Sequence, residues 1–406
     1  MDEASGRDVL VLVDSDHADT PYDKWAAEAG IRAHLLVSRA RYPQYRHVPG
    51  ARAFDDYVSG GGVERAALEL ADSVPLSAVV ARMEGDLLRA ARLREALRIP
   101  GQDWSSALAF RDKVVMKSRL REQGVPVPEF AAVRTPVDLL AFVRHHGYPV
   151  VVKPALGSGS TGTQVLHGPE DMDALFAAGL PDHPEVEQFV EGIMHVVDGL
   201  IVDGGMRAAF VSRYVNDCLS FRAGGHLGSV QLTRDDPLTP RLIDYARQVL
   251  ALLPTPDRTT FHLEVFHTPD DRLVFCEVAS RTGGALTGAA LRAAAGVDLD
   301  KEWFLAQTGH SQHGLVPCVH GAAPGRSAGW VVFYPERGRL AALPQSPPPF
   351  VAEQRLRGAV GTTYRGGEKS GVYLAGYVVT GRHADEVEDR MREVATWYAA
   401  QVRWEE

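Results

Sequence analysis

The chain has few cysteines and no long apolar run. Its three cysteines, Cys218, Cys276 and Cys318, stand far apart and form no C-x-x-C pair, so the sequence supports neither a disulfide framework nor a zinc site. No run of about 18 apolar residues occurs, which excludes a transmembrane helix. The first residues, MDEASGRD, carry acids where a signal peptide would be basic and then apolar. We therefore expect no export, no membrane partner and a cytoplasmic location.

Positive charge is also scarce. The 43 basic and 52 acidic residues leave a net charge of −9, and such a field repels nucleic acid and anionic membranes. We therefore expect no nucleic-acid partner, and any anionic ligand must be held by a local site. Lysine is especially rare, with six copies at positions 24, 113, 117, 153, 301 and 369.

The 406 residues allow two to four domains. Over the first hundred residues, short runs of Val, Leu and Ile such as DVLVLVD alternate with helical segments. This pattern predicts an α/β domain with a small, doubly wound parallel sheet. Further along, Asp203-Gly204-Gly205 and Pro269-Asp270-Asp271 separate apolar runs and predict two hairpins.

A glycine-rich segment, Gly157-Ser158-Gly159-Ser160-Thr161-Gly162, follows the apolar run VVVKP. The Rossmann form of G-x-G-x-x-G requires a helix directly after the last glycine, whereas TQVLHGPE is typical of a strand and a turn. A P-loop would end in Gly-Lys-Ser/Thr, which this segment does not. Two interpretations remain, a hairpin whose backbone N–H groups close over phosphates, as in kinases, and a plain flexible loop.

Lys153 lies in the apolar run before that loop. A buried ammonium needs an anionic partner to offset its desolvation, and a nucleotide phosphate would supply one. The alternative is a lysine that reaches solvent from the end of a strand. Lys113, at the start of a helix, gains significance only together with such residues.

Two acids lie within apolar strands, Glu264 in HLEVF and Glu277 in FCEVA. A hairpin would bring facing side chains to about 5 Å, where two carboxylates either share a proton or hold a divalent cation. A pair on the solvent face of the hairpin is the alternative. Arg281 follows closely, and its guanidinium suits a phosphate or a developing oxyanion.

Other polar residues near these strands are candidates for substrate contact. His262 is expected on the same face as Glu264, and Cys276 on the opposite face from Glu277, in the core. Within residues 212–230, Arg213, Arg222 and His226 could bind a carboxylate, with a mobile polar loop as the alternative.

Taken in order, the motifs Asp112-Lys113, VVVKPALGSGSTGT, EVEQFVEG, HLEVF and CEVASRTGG resemble the signature of the ATP-grasp superfamily over roughly residues 1–310. The form E-x-A-x-R-x-G-G with the upstream H-x-E is similar to the L-amino-acid ligase branch, the bacilysin-type dipeptide synthetases. The resemblance implies an ATP-grasp fold after the parallel-sheet domain, with nucleotide held between two α+β subdomains. It divides the chain into an N-terminal α/β domain (1–103), a small subdomain with the glycine-rich loop (104–190), a large subdomain (191–315) and a C-terminal α+β subdomain (316–406).

The resemblance also implies roles for individual residues. Lys113 and Lys153 would contact the nucleotide phosphates, and the 157–163 loop would close over them. Glu187, Gln188, Phe189 and Val190 would form the hinge that reads adenine through the Gln188 and Val190 backbones. Glu264 and Glu277 would carry Mg²⁺, with Mn²⁺ as a substitute, and Arg281 would steady the transferring phosphoryl group. Gly283, Gly284 and His262 would lie near the substrate.

The implied activity is an ATP-dependent ligase that joins a small carboxylate to an amine through an acyl phosphate, in a homodimer. Two departures stand out, because many members have a ribose-binding Glu where this chain has Met194 and an Asn where it has Ala279. Two alternatives remain open, a carboxylase or carbamoyl-type ligase using bicarbonate, and a catalytically silent nucleotide-binding regulator.

Overall fold

The computed structural model describes residues 8–216, 219, 225–310, 319–367 and 371–405. The candidate Arg222, as well as Cys218 and Cys318, lies outside these residues. Within the described part, no helix has both the length and the apolar character needed to cross a membrane.

The first domain is a parallel four-stranded sheet covered by helices. The strands are β1 (Asp8–Val13), β2 (Arg32–Ser38), β3 (Arg52–Phe54) and β4 (Leu76–Ala81), in the order β3-β2-β1-β4. The helices are α1 (Tyr22–Ala29), α2 (Tyr42–Tyr45), α3 (Gly62–Ala71) and α4 (Leu87–Leu97), and a short 3₁₀ turn (Glu84–Asp86) follows β4. The expected doubly wound parallel sheet is confirmed. The three-residue strand β3 was not foreseen, because RAF is too short to show a pattern.

The second unit is an antiparallel four-stranded sheet. Its elements are α5 (Trp104–Ala109), α6 (Lys113–Glu122), β5 (Phe130–Ala132), α7 (Pro136–His146), β6 (Val150–Pro154), β7 (Gln164–Leu166), α8 (Pro169–Ala178) and β8 (Pro184–Gln188), with strand order β5-β8-β6-β7. The pairing of β6 with β7 confirms that the glycine-rich segment joins two strands of a hairpin. At Gly162 the backbone has φ +71°, a left-handed conformation that glycine adopts without strain.

The remaining chain builds a nine-stranded sheet and a small three-stranded one. The elements are β9 (Ile193–Val202), β10 (Gly205–Tyr214), β11 (His226–Gln231), α9 (Leu238–Leu252), β12 (Thr259–His267), β13 (Leu273–Ala279), α10 (Thr287–Ala295), α11 (Leu299–Gln307), β14 (Val319–His320), β15 (Ser327–Phe333), β16 (Arg337–Ala342), β17 (Val351–Leu356), β18 (Thr363–Arg365), β19 (Ala375–Gly381), α12 (Ala384–Gln401) and β20 (Arg403–Glu405). The large sheet runs β13-β12-β9-β10-β11-β15-β19-β17 with β14 beside β10, and the small one runs β18-β16-β20.

Both hairpins predicted from turn residues are present in the large sheet. Asp203 and Gly204 connect β9 to β10 with φ of +52° and +75°, as a two-residue hairpin turn requires. β12 and β13 pair antiparallel. Strands on both sides of residue 315 share the large sheet, so the boundary between large and C-terminal subdomains stays a prediction.

An aromatic cluster attaches the first domain to the large sheet. Tyr22 and Trp25 of α1 pack on Phe304 of α11, with ring centroids 5.6 and 5.9 Å from that of Phe304. All three are buried, and each such ring removes a large apolar area from water. This contact brings the loop after β4 over the face of the large sheet.

Candidate functional site

A cavity of about 670 Å³ lies where the β6–β7 hairpin, the end of β8, the β12–β13 hairpin and the loop after β4 meet. Most of the residues singled out from the sequence line it. These are Lys113, Lys153, Gly157, Ser158, Gly159, Ser160, Thr161, Glu187, Gln188, Phe189, Val190, Arg213, His262, Glu264, Glu277, Arg281 and Gly284. Gly162, His226 and Gly283 are not part of its wall.

Four buried ionisable side chains, Lys117, Lys153, Glu185 and Glu187, lie together, and Lys153 and Glu187 line the cavity. The Lys153 ammonium is 2.6 Å from Glu187 Oε1, and the Lys117 ammonium is 2.5 Å from Glu187 Oε2 and 2.9 Å from Glu185 Oε2. Burial opposes ionisation of Glu187, but the two ammonium groups lower its pKa to about 2. Glu187 therefore supplies the anionic partner that the sequence argument assigned to a phosphate, and the burial of Lys153 alone no longer argues for a nucleotide.

Lys113 joins the glycine-rich loop to the carboxylate pair. Its ammonium donates to the Gly157 carbonyl at 2.8 Å and lies 3.1 Å from Glu277 Oε2. The preceding Asp112 caps α6 by accepting hydrogen bonds from the Val114 and Val115 backbones, which explains the Asp-Lys order. Although Lys113 looked unremarkable alone, it is buried at the wall of the cavity.

Glu264 and Glu277 lie directly opposite each other in the β12–β13 ladder. Burial would raise the pKa of Glu277, but Lys113 and Lys153 lower it to about 2. Two carboxylates that face the same cavity are suitable oxygen ligands for Mg²⁺, which is typically held by one or two carboxylates together with phosphates. The residues present thus fit a magnesium site.

Cys276 is buried, as expected, but the prediction that it lies on the opposite face from Glu277 was wrong. A β-bulge at Glu264/Val265 leaves Cys276 as an extra residue between the partners of Glu264 and Val265. Because a bulge breaks the alternation of side chains, Cys276 lines the cavity with its sulfur 4.0 Å from Glu264 Oε2. It remains a buried free thiol, and burial raises its pKa.

His262 belongs to a buried hydrogen-bonded chain. Its Nδ1 is 2.9 Å from Asp198 Oδ1, and its Nε2 is 3.5 Å from Glu264 Oε1. Burial opposes protonation of the ring, but Asp198 and then Glu264 raise its pKa to about 10. The Gly283 backbone N–H also donates to Asp198 Oδ1, at 2.9 Å. A Cβ on Gly283 would lie 2.7 Å from His262 Nδ1, so close packing explains the glycine.

Arg281 is held by Glu84, a residue that the sequence analysis missed. Arg281 donates from Nε at 2.8 Å and from Nη2 at 2.5 Å to Glu84 Oε2, and Arg111 donates to the other carboxylate oxygen. Burial opposes ionisation of Glu84, but Arg281 and Arg111 lower its pKa. Glu84 follows strand β4 of the parallel sheet. Because ligand sites of parallel sheets lie beyond the carboxyl ends of the strands, its position in the sequence could have marked it as a site residue.

The other candidates have structural partners. Arg213 donates to Glu388 of α12 at 2.7 Å, so its charge is already balanced at the cavity wall. His226 packs against Phe333 with ring centroids 5.7 Å apart, and burial lowers its pKa. The Gln188 N–H donates to the Glu129 carbonyl at 2.9 Å.

Parts of the sequence match known proteins. The family model of the carbamoyl-phosphate synthase L chain, ATP binding domain, matches residues 112–204. An L-arginine-specific L-amino acid ligase of Bacillus subtilis is 28% identical over 259 residues. That match covers 61% of this chain and 62% of the relative, which is less than two thirds of its length.

Solved structures extend the similarity to nearly the whole chain. An L-amino acid ligase from Bacillus licheniformis superposes with a TM-score of 0.78 and 16% identity, covering 98% of this chain and 99% of that one. The biotin carboxylase domain dimer of the Hydrogenobacter thermophilus 2-oxoglutarate carboxylase, in complex with MgADP, ADP and bicarbonate, gives 0.67 and 17%, covering 98% and 91%. The shared fold shows that this chain has the ATP-grasp fold, and residues 112–204 match an ATP-binding family model within it.

Proposed function

We propose that this protein is an ATP- and Mg²⁺-dependent ligase that joins a carboxylate, an amino acid or related small acid, to an amine. The products are an amide or peptide bond, ADP and phosphate. The observation that carries the proposal is the convergence of Lys113, Lys153, the glycine-rich loop, the Glu264–Glu277 pair and Arg281 on one cavity. These residues combine cations that can bind phosphates, carboxylates that can bind a metal ion, and a guanidinium that can donate hydrogen bonds to negative charge developing in the transition state.

Each group has a defined task in the proposed reaction. Lys113 and Lys153 bind the nucleotide phosphates, and the backbone of residues 157–162 covers them. Glu264 and Glu277 hold Mg²⁺, which would neutralise charge on the phosphates. Because the Gln188 N–H is already bonded to Glu129, contact of Gln188 with adenine has to use its carbonyl or side chain.

The reaction proceeds in two displacements. The substrate carboxylate oxygen attacks the γ-phosphorus, the bond to the β-phosphate oxygen breaks, and ADP leaves with an acyl phosphate formed. The amine nitrogen then attacks the acyl carbon, phosphate leaves with the former carboxylate oxygen, and the nitrogen loses a proton. Arg281 stabilises the charge that grows on the phosphoryl oxygens, while Glu84 fixes the direction of its guanidinium.

Product analysis tests the proposal directly. The full-length protein is incubated with Mg-ATP and pools of amino acids, small acids and amines, and ADP, phosphate and coupled products are measured by mass spectrometry. We expect turnover only when both a carboxylate and an amine are present, and hydroxylamine should trap the acyl phosphate as a hydroxamate. ATP hydrolysis that is independent of any carboxylate would contradict the ligase assignment.

Two variants separate metal binding from folding. Glu277→Gln should abolish Mg²⁺-dependent turnover with an unchanged circular dichroism spectrum, because it removes one anionic oxygen facing the metal. Glu393→Gln, on the exposed face of α12, is the matched control and should retain full activity. If Glu277→Gln were unfolded, the carboxylate would be structural, and if it were fully active, the metal assignment would fail. Replacement of Mg²⁺ by Mn²⁺ should preserve turnover.

The carboxylase alternative is less supported. It predicts ATP turnover that depends on bicarbonate, and isotopically labelled bicarbonate would then enter the product. The structural relative with MgADP and bicarbonate is a domain dimer, and we expect this chain to form a homodimer as well. Sedimentation of the purified protein at twice the 44.1 kDa chain mass would support that expectation.

A further inference from the structure

Two histidines and an aspartate converge on the surface of the first domain, away from the cavity. His17 Nε2 is 2.7 Å from Asp23 Oδ1, and His47 Nε2 is 3.2 Å from Asp23 Oδ2. In the part of the chain that the structure describes, this is the one group of three or more His, Cys, Asp or Glu side chains whose ligand atoms all lie within 4.8 Å of one another. The ligase proposal gives these three residues no role.

The fold holds the three side chains in place from three separate segments. His17 lies in the loop after β1, Asp23 in the first turn of α1, and His47 just after α2. The His17 ring packs edge-on against the buried Tyr45 ring at 5.1 Å, and its backbone N–H donates to Gln44 Oε1 at 2.9 Å. The position of His17 relative to the α2 segment is thereby fixed before any ion binds.

The spacing of the ligand atoms is close to that of a metal centre. Bonds of about 2.0 to 2.2 Å from zinc to nitrogen and oxygen place neighbouring ligand atoms of a tetrahedron about 3.3 Å apart. The two imidazoles lie 2.7 Å from Asp23 Oδ1 and 3.2 Å from Asp23 Oδ2. With one oxygen of Asp23 as the ligand, the three ligand atoms all lie within 4.8 Å of one another, and small side-chain movements would bring them to the tetrahedral spacing. The two His side chains are 20% and 54% exposed, so a water ligand can reach the open position.

The donor set also selects the kind of ion. Two imidazole nitrogens and one carboxylate suit zinc, copper, iron or nickel, whereas Mg²⁺ prefers oxygen ligands. The Glu264–Glu277 pair supplies two carboxylates, the ligand type that Mg²⁺ prefers, so the two sites differ in the metals they favour. Excess Mg²⁺ should therefore fill the cavity without competing at the histidines.

We propose that His17, Asp23 and His47 form a second metal site, which binds one first-row divalent ion such as Zn²⁺ with water as a further ligand. A bound ion joins the loop after β1 to α1 and to the segment after α2. The same loop carries two further aspartates. Asp16 Oδ2 lies 2.7 Å from Arg357 Nη2, and Asp19 forms an ion pair with Arg355. The site therefore stabilises the loop that connects the first domain to strand β17 and the segment after it.

Zinc titration of the chelator-treated, full-length protein in excess Mg²⁺ tests the site. We expect one Zn²⁺ per chain. Loss of a residue that only orients a metal ligand already weakens metal binding by about 10- to 100-fold. His47→Ala removes a ligand itself, so it should weaken zinc binding by more than about 100-fold. Asp23→Asn should weaken it similarly. His145→Ala, which removes an exposed histidine from α7, is the matched control and should bind as the parent does.

Two further measurements distinguish this site from the cavity. Zn²⁺ should raise the thermal midpoint of the parent but not of His47→Ala, since an ion that binds only the folded state stabilises it. The Glu277→Gln variant should keep its full zinc stoichiometry. No zinc binding by the parent, binding retained in His47→Ala, or binding lost in Glu277→Gln would each overturn the proposal. None of these readouts depends on ligase activity.

Discussion

Replacing Glu84 by Gln tests the link between the first domain and the catalytic wall. Glu84 accepts hydrogen bonds from Arg111 and Arg281, and its side chain is 11% exposed while theirs are 8% and 17% exposed. Glutamine keeps the shape and one acceptor oxygen but removes the negative charge. Two buried guanidinium groups would then face each other without a counter-ion.

The expected cost follows from that burial. Removing one partner of a buried ion pair costs about 3 to 5 kcal/mol, because the remaining charge is left uncompensated. An exposed ion pair contributes about 0 to 1 kcal/mol. We therefore expect the free energy of unfolding of Glu84→Gln to fall by about 3 to 5 kcal/mol, and kcat to fall as well, because Arg281 loses its orientation.

Urea denaturation followed by circular dichroism measures the change. Glu69→Gln is the matched control, since Glu69 pairs with Arg65 at 3.6 Å on the exposed face of α3, with side chains 58% and 79% exposed. It should cost less than about 1 kcal/mol. Equal stability losses in the two variants would refute the reasoning that Glu84 compensates two buried charges.

Three further predictions concern the cavity and its supports. Arg281→Ala should lower kcat by roughly 10² to 10³, as removal of an oxyanion donor does, with the KM for ATP little changed in steady-state kinetics; a loss under tenfold would exclude the role. Burial beside two ammonium groups lowers the pKa of Glu187 to about 2 from its usual 4.5. The ionised Glu187 therefore stabilises the folded state fully above pH 4.5, and this stabilisation is lost as the pH falls toward 2. The thermal midpoint of the parent protein should drop over that pH range, and that of Glu187→Gln should drop less steeply. Gly283→Ala should destabilise the protein by about 1 to 3 kcal/mol, because its Cβ would clash with His262, whereas Gly284→Ala, where a Cβ meets nothing within 4 Å, should be nearly neutral in thermal unfolding.

Much of the fold was predictable because its signals are local. The parallel sheet of the first domain follows from apolar runs bounded by helical segments, and the hairpins follow from Asp-Gly and Pro-Asp turns. The facing position of Glu264 and Glu277 was also predictable, since two strands joined by a short turn leave few registers. In each case, residues close in the chain carry the information.

The partners of the charged residues were not predictable in this way. Glu84 and Arg281 are separated by 197 positions, and Lys117 and Glu187 by 70, so no local pattern connects them. The sequence suggested a phosphate as the partner of Lys153, whereas the pairing of β6 with β8 places Glu187 beside it. The bulge that turns Cys276 toward the cavity likewise depends on how β12 and β13 pair.

Short-range periodicity and turn chemistry predicted the parallel sheet of the first domain and both hairpin turns, and they narrowed the glycine-rich segment and the two carboxylates to a few arrangements. The charges that compensate one another and the histidines that meet became evident only from the folded chain. Long-range packing sets those distances, as when the loops of the first domain bring His17 to Asp23 and His47. Ion pairing and metal binding depend on separations of a few ångströms, and the order of residues alone does not specify such separations.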